Sequence, residues 1–493
     1  MKAACRLLPA LAVLALPAVS ATTEDTAGAL AQRVLEALHE SSGVPGLGAA
    51  IWQDGRLRWQ GQAGWHDVRQ RRPLGPDSRF RLASVSKLFA ATAAALLHQE
   101  GLLNGEAPLP TPWYPSGHEG AAITPRQLAS HLSGLPHYSL TDAGRGHQAF
   151  ADSRSAAQHW VKGRALLDAP GRSYHYSSWG YTLLGAAVEQ ASGVSLADFM
   201  PERLTAGLAI GVDRTDTDPH GHSRPYEAGI RGWRVAGAHD YSYSLGGAGL
   251  SGTPGALAMW GGRLLQGALL EPDTLTWMTR PSRLADGLEA RHGPDKVAFG
   301  WRLGADPQGR PTWNHAGSAI GARSALVLWP HVVSTAAALL SNASWVSSIE
   351  ESARTLAAPW LEPRPGLVAL PCPKPGQRFD AAWGAESLRG TVQASPGSPS
   401  GCDRRLVLDK QPKGFENQGP ARDAPQLRLI SLSTSPGLGH AALVTPIGAF
   451  QLESAADGRL IGKVAGREWT MTFDAPSAAV SALRQVDVEH VLE

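Results

Sequence analysis

The chain has 493 residues, of which 43% are hydrophobic and 18% are charged. This composition is typical of a soluble globular protein and excludes a disordered or fibrous chain. The length exceeds what one compact core usually holds, so we expect two or three folding units. The formal net charge is only +2, and the basic residues are dispersed among acidic ones, so no nucleic-acid partner is indicated.

Residues 1–21 have the pattern of a secretory signal peptide. Lys2 and Arg6 form a basic start, an apolar run follows, and small residues such as Ala21 suit cleavage. The apolar run is interrupted by proline and is too short to span a bilayer comfortably, so we expect no membrane span after cleavage. The mature protein is therefore predicted to be periplasmic or secreted.

The next segments predict a helix followed by a β-hairpin. Helical apolar spacing runs from residue 25 to 42. The residues on its apolar face are Leu30, Val34, Leu35 and Leu38. After it, LGAAIWQDGRLRWQGQAGW predicts two strands joined at Asp54-Gly55, a dipeptide that favours a tight hairpin turn.

Further strands are predicted much later in the chain. They are FGWRLG, RPTWNHAG, SALVLWP and VVSTAAALLSNA, with a helix through residues 346–357. One sheet is therefore assembled from both ends of a first domain, at residues 22–360. Between these ends, residues 84 to about 290 predict an inserted, mostly helical lobe. A cleft between sheet and lobe is where a site is expected.

The rest of the chain predicts a linker and a second domain. The proline-dense stretch PWLEPRPGLVALPCPKPG predicts a semi-rigid linker, placed at residues 361–378. Residues 379–493 predict a small β-rich domain, because FQLESAADGRLIGKVAGREWTMTF alternates like strands joined at a turn. Cys372 and Cys402 remain after signal cleavage. They form a disulfide or stay as two thiols, since spacing alone does not fix their geometry.

One nucleophile candidate lies in RLASVSKLFAATAAALL. Ser84 and Lys87 are three residues apart at the start of an alanine-rich helix, so both side chains face the same way. A serine hydroxyl needs a base, and a lysine serves as one only if burial or nearby positive charge lowers its pKa. The helix N-terminus favours an anion forming beside Ser84. By itself the Ser-x-x-Lys spacing is a weak signal.

Two further elements strengthen this signal by their order along the chain. Tyr176 opens a Tyr-Ser-Ser triplet before another apolar helix, in PGRSYHYSSWGYTLLGAAVEQASG. His315-Ala316-Gly317 lies near the end of a predicted strand, where small residues let a substrate backbone pair with the strand edge. Each element alone is more often structural than functional.

The three elements together resemble the β-lactamase-related superfamily, which includes class C β-lactamases, penicillin-binding DD-peptidases and family VIII esterases. HLSGLPHY, YSSWGYTLLG and HAGSAIGARSALVLWP are most similar to the LACTB-type serine peptidase branch. The resemblance covers about residues 25–360. It implies an α+β fold of the β-lactamase/transpeptidase type, with an antiparallel sheet flanked by helices and an inserted helical lobe.

The resemblance also implies roles for individual residues. Ser84 is the nucleophile, Lys87 its base partner, Tyr176 the proton shuttle or second base, and His315 the substitute for a lysine found in many β-lactamases. The implied oxyanion hole consists of the backbone N–H groups of Ser84 and Ser318, beside Gly317.

One residue departs from the pattern of the family. Many β-lactamases have asparagine where this chain has Ser178, and the shorter hydroxyl puts strong β-lactamase activity in doubt. Arg323 is a candidate for binding a substrate carboxylate, with a surface salt bridge as the alternative. No Gly-x-Ser-x-Gly motif indicates an α/β-hydrolase. No third histidine and no glutamate stands at metal-binding spacing near Asp218, His220 and His222, so they predict a solvated loop and no metal.

These patterns predict acyl transfer through a covalent Ser84 ester, with no cofactor and with a small-molecule or peptide substrate. Our first prediction is a peptidase of periplasmic peptides or peptidoglycan fragments. The alternatives are a carboxylesterase or weak β-lactamase, or a non-catalytic scaffold protein of the same fold. The sequence does not fix the oligomeric state.

Overall fold

A computed structural model describes most of the chain. The described residues are 23–110, 122–139, 142, 144–214, 221–229, 232–331, 333–395, 402–415, 427–433 and 439–474. The predicted signal peptide, Asp218 and His220 lie outside them. Within the described residues, no helix is both long and apolar enough to cross a membrane.

The chain begins with a helix and a hairpin close to the predicted positions. The elements are α1 (Thr23–Ser42), β1 (Gly46–Gln53), β2 (Arg56–Asp67) and β3 (Arg72–Pro73). All four apolar residues predicted on the buried face of α1 are buried. Asp54 and Gly55 have φ of 55° and 87°, the positive values that a two-residue hairpin turn requires.

The middle of the chain forms the helical lobe. Its elements are β4 (Phe80–Arg81), α2 (Ser86–Gln99), α3 (Pro125–Ala129), α4 (Ser153–Trp160), α5 (Ser178–Ser192), α6 (Leu196–Arg203), β5 (Ile210–Val212), β6 (Tyr226–Gly229), β7 (Gly232–Val235), α7 (Leu245–Ala248), β8 (Leu250–Gly252), α8 (Pro254–Leu265) and α9 (Pro272–Thr279). Helices α2 and α5 are apolar almost all round and pack against each other in the lobe core. Helix α8 instead packs on the sheet, across β1 and β14, so the lobe is smaller than predicted.

The remaining strands of the first domain complete one antiparallel sheet. They are β9 (Arg291–His292), β10 (Asp295–Val297), β11 (Arg302–Ala305), β12 (Pro311–Ala319), β13 (Ala322–Trp329) and β14 (Thr335–Ser341). The strand order is β3-β2-β1-β14-β13-β12-β11-β10-β9. Because β1 pairs with β14, the two ends of the domain meet at the centre of the sheet, which confirms the predicted fold class.

Helix α10 (Ile349–Ala357) follows the sheet and packs with α1 on the face opposite α8. It begins three residues later than the predicted start at 346, because residues 345–348 run as irregular chain against the C-terminal domain. Between Trp360 and Arg378, in the proline-rich stretch, the chain has neither helix nor strand.

The C-terminal region is a closed eight-stranded barrel. Its strands are β15 (Arg378–Trp383), β16 (Glu386–Ala394), β17 (Asp403–Leu408), β18 (Leu427–Ser431), β19 (His440–Thr445), β20 (Gly448–Ser454), β21 (Leu460–Val464) and β22 (Arg467–Phe473). The sequence predicted a β-rich unit, and the pairing of β15 with β22 closes it. A disulfide joins Cys372 in the proline-rich stretch to Cys402 beside β17.

The barrel packs directly on the first domain. Ile430 and Val444 of the barrel share one apolar core with α1 and α10. Arg428 pairs with Asp403 of the same barrel at 2.7 Å and, across the two units, with Glu40 of α1 at 3.0 Å. The domain boundaries predicted from sequence stay predictions. The barrel packs on the side of the sheet that carries α1 and α10.

Candidate active site

Ser84 lies in a short 3-10 turn, Ala83–Val85, directly before α2 rather than within it. Ala83 has a φ of 48°, a left-handed conformation that alanine rarely adopts. Leu82, the residue before this turn, makes a hydrogen bond through its N–H and another through its carbonyl. Its N–H donates to Leu250 O at 2.9 Å, and its carbonyl accepts from Ser324 Oγ at 2.6 Å. The sheet and the lobe together therefore fix the position of Ser84.

Lys87 is fully buried one turn further along and points at three neutral oxygens. Its Nζ lies 3.1 Å from Ser84 Oγ, 2.9 Å from Ser178 Oγ and 2.9 Å from Gly247 O. Burial lowers the pKa of the ammonium from its usual 10.5 to about 8. At neutral pH a fraction of roughly one tenth is then uncharged and able to accept a proton. The geometry and the pKa both suit a general base.

Tyr176 closes the other side of Lys87. The Nζ lies 5.1 Å from the centroid of its ring. Burial raises the pKa of the phenol, opposed in part by hydrogen bonds with the hydroxyls of Ser84 and Ser178 and by the charge of Arg302. The phenol therefore stays protonated at neutral pH and is a proton donor in its resting state.

Ser178 links these two residues. Its buried hydroxyl accepts from Lys87 at 2.9 Å, and its interaction with Tyr176 contributes to lowering the pKa of that phenol. A hydroxyl both donates and accepts, so Ser178 is suited to pass a proton between Lys87 and Tyr176. Ser178, which stands where many β-lactamases have asparagine, thus contacts Lys87.

Two histidines that sequence reasoning did not assign hold the second motif in place. His131 Nδ1 accepts the Ser177 N–H at 3.0 Å, and His137 Nδ1 accepts the Ser178 N–H at 3.2 Å. The pKa values of both rings are lowered, mainly by burial, and the pKa of His137 falls to about 4. Both rings are therefore neutral acceptors. The repeated histidine in HLSGLPHY was the available signal.

His315 lies in the middle of β12, with 2% of its surface exposed. Its Nδ1 is 2.7 Å from Ala316 O, and because a carbonyl only accepts, Nδ1 carries the proton. Burial first, then the charges of Arg302 and Lys87, hold the pKa well below its usual value. His315 is therefore a neutral ring whose Nε2 is an acceptor, and it brings no positive charge to the site.

Gly317 lets β12 approach the nucleophile turn. A Cβ at this position would lie 2.6 Å from Leu82 O and 2.9 Å from Ala83 Cβ, so any side chain would push the strand away. Ser318, the next residue, is exposed to solvent. The predicted oxyanion donors, the N–H groups of Ser84 and Ser318, therefore belong to two segments in contact. Their role stays a prediction.

Arg302 is a cation of the site that sequence reasoning missed. It pairs with Asn314 across β11 and β12, and partners in an antiparallel pair share a face. Residues 314, 316 and 318 alternate onto that face, which packs against α10, whereas His315 and Gly317 lie on the opposite face toward the Ser84 turn. Its charge contributes to lowering the pKa values of Lys87, Tyr176 and His315. The register of a strand pair, which no motif records, places it there.

Arg323 pairs with Ser318 on the same face. Its side chain is partly buried, and it forms no salt bridge with any residue that the structure describes. Its Nη2 donates to Ser347 O at 2.9 Å, with its Nε 3.4 Å from Ser347 Oγ. The guanidinium is therefore anchored to the chain before α10, and its role in carboxylate binding stays a prediction.

Of the three polar residues considered as a metal site, only His222 lies within the described residues. His222 Nε2 lies 2.9 Å from an oxygen of Asp213, within an ion-pair cluster that also includes Arg79. Across the described residues, no group of three side chains is arranged to hold a metal ion.

A serine with a buried lysine, a protonated tyrosine and a strand edge beside it defines a serine hydrolase of the Ser-x-x-Lys type. The sequence model of the family described as Beta-lactamase matches residues 31–358. The chain therefore belongs to the Beta-lactamase family, as its motifs predicted. The matched range includes all the site residues described above.

Two curated relatives illustrate the range of the family. The serine beta-lactamase-like protein LACTB, mitochondrial, of Homo sapiens is 24% identical over 394 residues, covering 61% of this chain and 72% of that protein. The D-alanyl-D-alanine-carboxypeptidase/endopeptidase AmpH of Escherichia coli is 25% identical over 306 residues, covering 59% and 77%.

Solved structures show the same fold. A D-stereospecific amidohydrolase from Streptomyces matches with a TM-score of 0.55 and 24% identity, over 64% of this chain and 95% of that one. The structure of SurE with D-Leu matches with a TM-score of 0.52 and 20% identity, over 91% of this chain and 99% of that one. The second match extends into the barrel, so the two-domain architecture recurs in another protein.

Proposed function

We propose that this serine hydrolase is a peptidase of short peptides, such as peptidoglycan fragments, and that it works outside the cytoplasm. The observation that carries the proposal is the positive charge of Arg302, which acts on Lys87, Tyr176 and His315. A guanidinium matches the geometry of a carboxylate, which every peptide with a free C-terminus carries. His315 is neutral, so it supplies no positive charge of its own to the site.

The relatives support a substrate that contains D-amino acids. One is called a D-alanyl-D-alanine-carboxypeptidase/endopeptidase, and one solved neighbour is a D-amino acid amidase from Ochrobactrum anthropi in complex with D-phenylalanine. Export is supported by the signal-like residues 1–21 and by the Cys372–Cys402 disulfide, since disulfides persist in oxidising compartments.

Acylation begins when neutral Lys87 removes the proton of Ser84 as Oγ attacks the substrate carbonyl. The N–H groups of Ser84 and Ser318 donate to the oxyanion of the tetrahedral intermediate. Tyr176 then gives its proton to the leaving nitrogen, and the C–N bond breaks. The proton on Lys87 passes through the Ser178 hydroxyl to Tyr176, so both residues return to their resting states.

Deacylation uses the same groups with water in place of the leaving amine. Lys87 takes a proton from the water as its oxygen attacks the Ser84 ester, and the departing Ser84 Oγ receives a proton from Lys87. The products are a carboxylic acid and free enzyme. Each step uses Lys87 as base and acid in turn, which its pKa of about 8 suits.

Ester hydrolysis is the second candidate, and Ser178 favours it. An asparagine amide at this position would reach further than the hydroxyl toward the acyl side chain of a β-lactam. An ester, with its better leaving group, depends less on that contact. The scaffold alternative is disfavoured by the intact Ser84, Lys87, Tyr176 and His315 set.

One experiment tests the acyl-enzyme and the substrate class together. The purified protein is incubated with a fluorophosphonate probe and a fluorescent penicillin, and then with D-alanyl-D-alanine peptides, L-peptides and short-chain esters. We expect fluorophosphonate labelling that Ser84→Ala abolishes, and release of D-alanine at a higher kcat/KM than ester or penicillin turnover. Turnover of esters alone would replace the peptidase proposal by the esterase.

A further inference from the structure

His137 has one edge of its ring against the second motif and is otherwise exposed to solvent. Its Nδ1 lies 3.2 Å from the backbone nitrogen of Ser178, and its ring centroid lies 5.3 Å from that of Tyr176. The Ser178 hydroxyl contacts Lys87, which contacts the Ser84 hydroxyl. His137 is therefore a solvent-accessible neighbour of the catalytic groups.

The two ring nitrogens of His137 have opposite roles. A backbone N–H only donates, so Nδ1 accepts the hydrogen bond from Ser178 and carries no proton. Burial first, and then the charges of Lys87 and Arg145, lower the pKa of the ring to about 4, so the ring is neutral at pH 7. A neutral imidazole has one N–H, which is here on Nε2. Among the residues that the structure describes, this N–H has no hydrogen-bond partner, so it is a donor for a ligand.

Neighbouring groups hold the ring of His137 in place. It packs on the ring of Tyr138, with the two centroids 4.1 Å apart, and Tyr138 in turn packs on Trp179 at 5.2 Å. The backbone before His137 is fixed as well, since Pro136 O accepts from the Ser177 hydroxyl at 2.7 Å. A donor that is fixed before the substrate arrives loses little entropy on binding.

A peptide substrate needs a hydrogen-bond donor on the lobe side of the site. Strand β11 pairs with β12 at residues 311–314, and beyond Asn314 no described strand covers this edge of β12. Gly317 brings the open edge against the Ser84 turn. A peptide laid along the edge directs alternate backbone groups toward β12 and the others away from it, across the Ser84 turn to the lobe. A carbonyl that points to the lobe needs a donor there.

His137 lies on this lobe side, and the Ser178 hydroxyl does not replace it. The contacts run from Ser84 to Lys87, from Lys87 to Ser178 and from Ser178 to His137. Ser178 is fully buried, and its hydroxyl accepts from the Lys87 ammonium at 2.9 Å. Because Nδ1 of His137 points at Ser178, its Nε2–H points away from Ser178 and is better placed to reach a substrate.

We infer that His137 is a specificity-determining residue: its Nε2–H donates to the carbonyl oxygen of the acylamino group next to the scissile bond of a peptide substrate. The inference rests on the proposed function, because a peptide supplies this carbonyl and a simple ester does not. His137 thus provides, from another segment of the chain, the donor that a side-chain amide in place of Ser178 would provide. A His137 that only held the second motif would affect all substrates alike.

The test uses the full chain, two substitutions of His137 and a matched control. His137→Asn places an amide oxygen near the position of Nδ1, so it keeps an acceptor for the Ser178 N–H but has no group that reaches the position of Nε2. His137→Gln does the reverse, because its longer amide brings an N–H to the position of Nε2 and leaves the Ser178 N–H without its acceptor. His331→Asn, at an exposed position between β13 and β14, is the control.

Two anilides with the same scissile bond give the readout. N-acetyl-D-alanine 4-nitroanilide carries the acylamino group, and 2-methylpropanoic acid 4-nitroanilide has a methyl group in its place. The measured quantity is the ratio of the two kcat/KM values, in which a general loss of activity cancels.

We expect the wild type and His331→Asn to prefer the acetylated anilide. His137→Asn should lower the ratio about three- to tenfold, the loss typical of one neutral hydrogen bond. His137→Gln should keep most of the preference, whatever its absolute rates. If His137→Asn fails to fold, as judged by circular dichroism, His137→Ala takes its place in the comparison.

An unchanged ratio in folded His137→Asn would overturn the inference and leave the proposed function intact. A preference that is lost in His137→Gln and kept in His137→Asn would overturn it too, since that is the result of a residue that only anchors Ser178. Failure of the proposed function looks different. It would appear in the wild type, as hydrolysis of esters without release of D-alanine from N-acetyl-D-alanyl-D-alanine or turnover of either anilide, and it would overturn the inference as well.

Discussion

The two sides of Ser84 are built differently. On the lobe side, Lys87, Tyr176 and Ser178 lie among buried aromatic rings, and their partners are neutral oxygens and nitrogens. On the strand side, Ser318 is exposed, and Arg302 and Arg323 lie on the face of the sheet that packs against α10. Burial adjusts the pKa values on the first side, whereas the second combines an exposed strand edge with largely buried charge.

The lobe side therefore suits proton transfer, and the strand side suits recognition of the substrate. A base and a proton donor need low polarity around them, because desolvation shifts the pKa values toward the operating pH. A carboxylate-binding site needs uncompensated positive charge that the substrate can reach. Substitutions on the lobe side should therefore change kcat for every substrate, and substitutions on the strand side should change KM for acidic substrates only.

The largest effect is expected for Lys87→Met, which removes the base but keeps most of the apolar stem. We predict that kcat/KM falls about 10⁴-fold or more for peptides and esters alike, as when a residue of a catalytic nucleophile–base unit is removed. Steady-state kinetics on both substrate types measures it. A folded variant that keeps more than a tenth of the activity would assign the base to another group.

A smaller, selective effect is expected for Arg302→Ala. A charged hydrogen-bond partner is lost, so KM for a peptide with a free carboxylate should rise about 10- to 100-fold. KM for its C-terminal amide should not change, and kcat for a neutral ester should fall only as far as the pKa of Lys87 rises without this charge. Arg389→Ala, at an exposed ion pair in the barrel, is the control. An equal rise for acid and amide would place Arg302 outside recognition.

Well below the pKa of Lys87, kcat/KM for a neutral ester should increase about tenfold for each pH unit. Lys87 acts in its neutral form, so kcat/KM for a neutral ester should rise with pH and level off above the lysine pKa of about 8. Tyr176 adds no falling limb near neutrality, because burial raises its pKa. A profile that is flat or falls between pH 6.5 and 8 would contradict the assignment of the base.

The smallest effect is expected for Ser178→Asn. It restores the amide that many β-lactamases carry, so turnover of a penicillin should rise by a few-fold, about 1 kcal/mol of transition-state binding at most. Peptide turnover should fall, since the hydroxyl path between Lys87 and Tyr176 is interrupted. Unchanged or lower penicillin turnover would show that this position does not limit β-lactam hydrolysis.

Local signals predicted much of this architecture. The Asp54-Gly55 turn, the apolar face of α1 and the split sheet all follow from short patterns of hydrophobicity and turn residues. Ser84, Lys87 and Tyr176 were found by motif, and the structure brings them within contact of each other. These features depend on neighbours in the chain or on a recognised order of motifs.

The features that the sequence did not predict depend on pairing between segments that are far apart in the chain. Arg302 lies beside Asn314 because of the register between β11 and β12, and the barrel closes because β15 pairs with β22. The anchoring of Arg323 depends on where residue 347 lies after the sheet has formed. No local pattern encodes these distances, since each joins segments that meet only in the folded chain.

The central prediction for this protein is that Ser84 forms a covalent acyl-enzyme. Mass spectrometry of the intact protein after incubation with a penicillin or a fluorophosphonate, followed by peptide mapping, tests it most directly. We predict a single adduct on the peptide that contains Ser84, absent from Ser84→Ala and strongly slowed in Lys87→Met. No adduct with either reagent, or an adduct on another residue, would contradict the account.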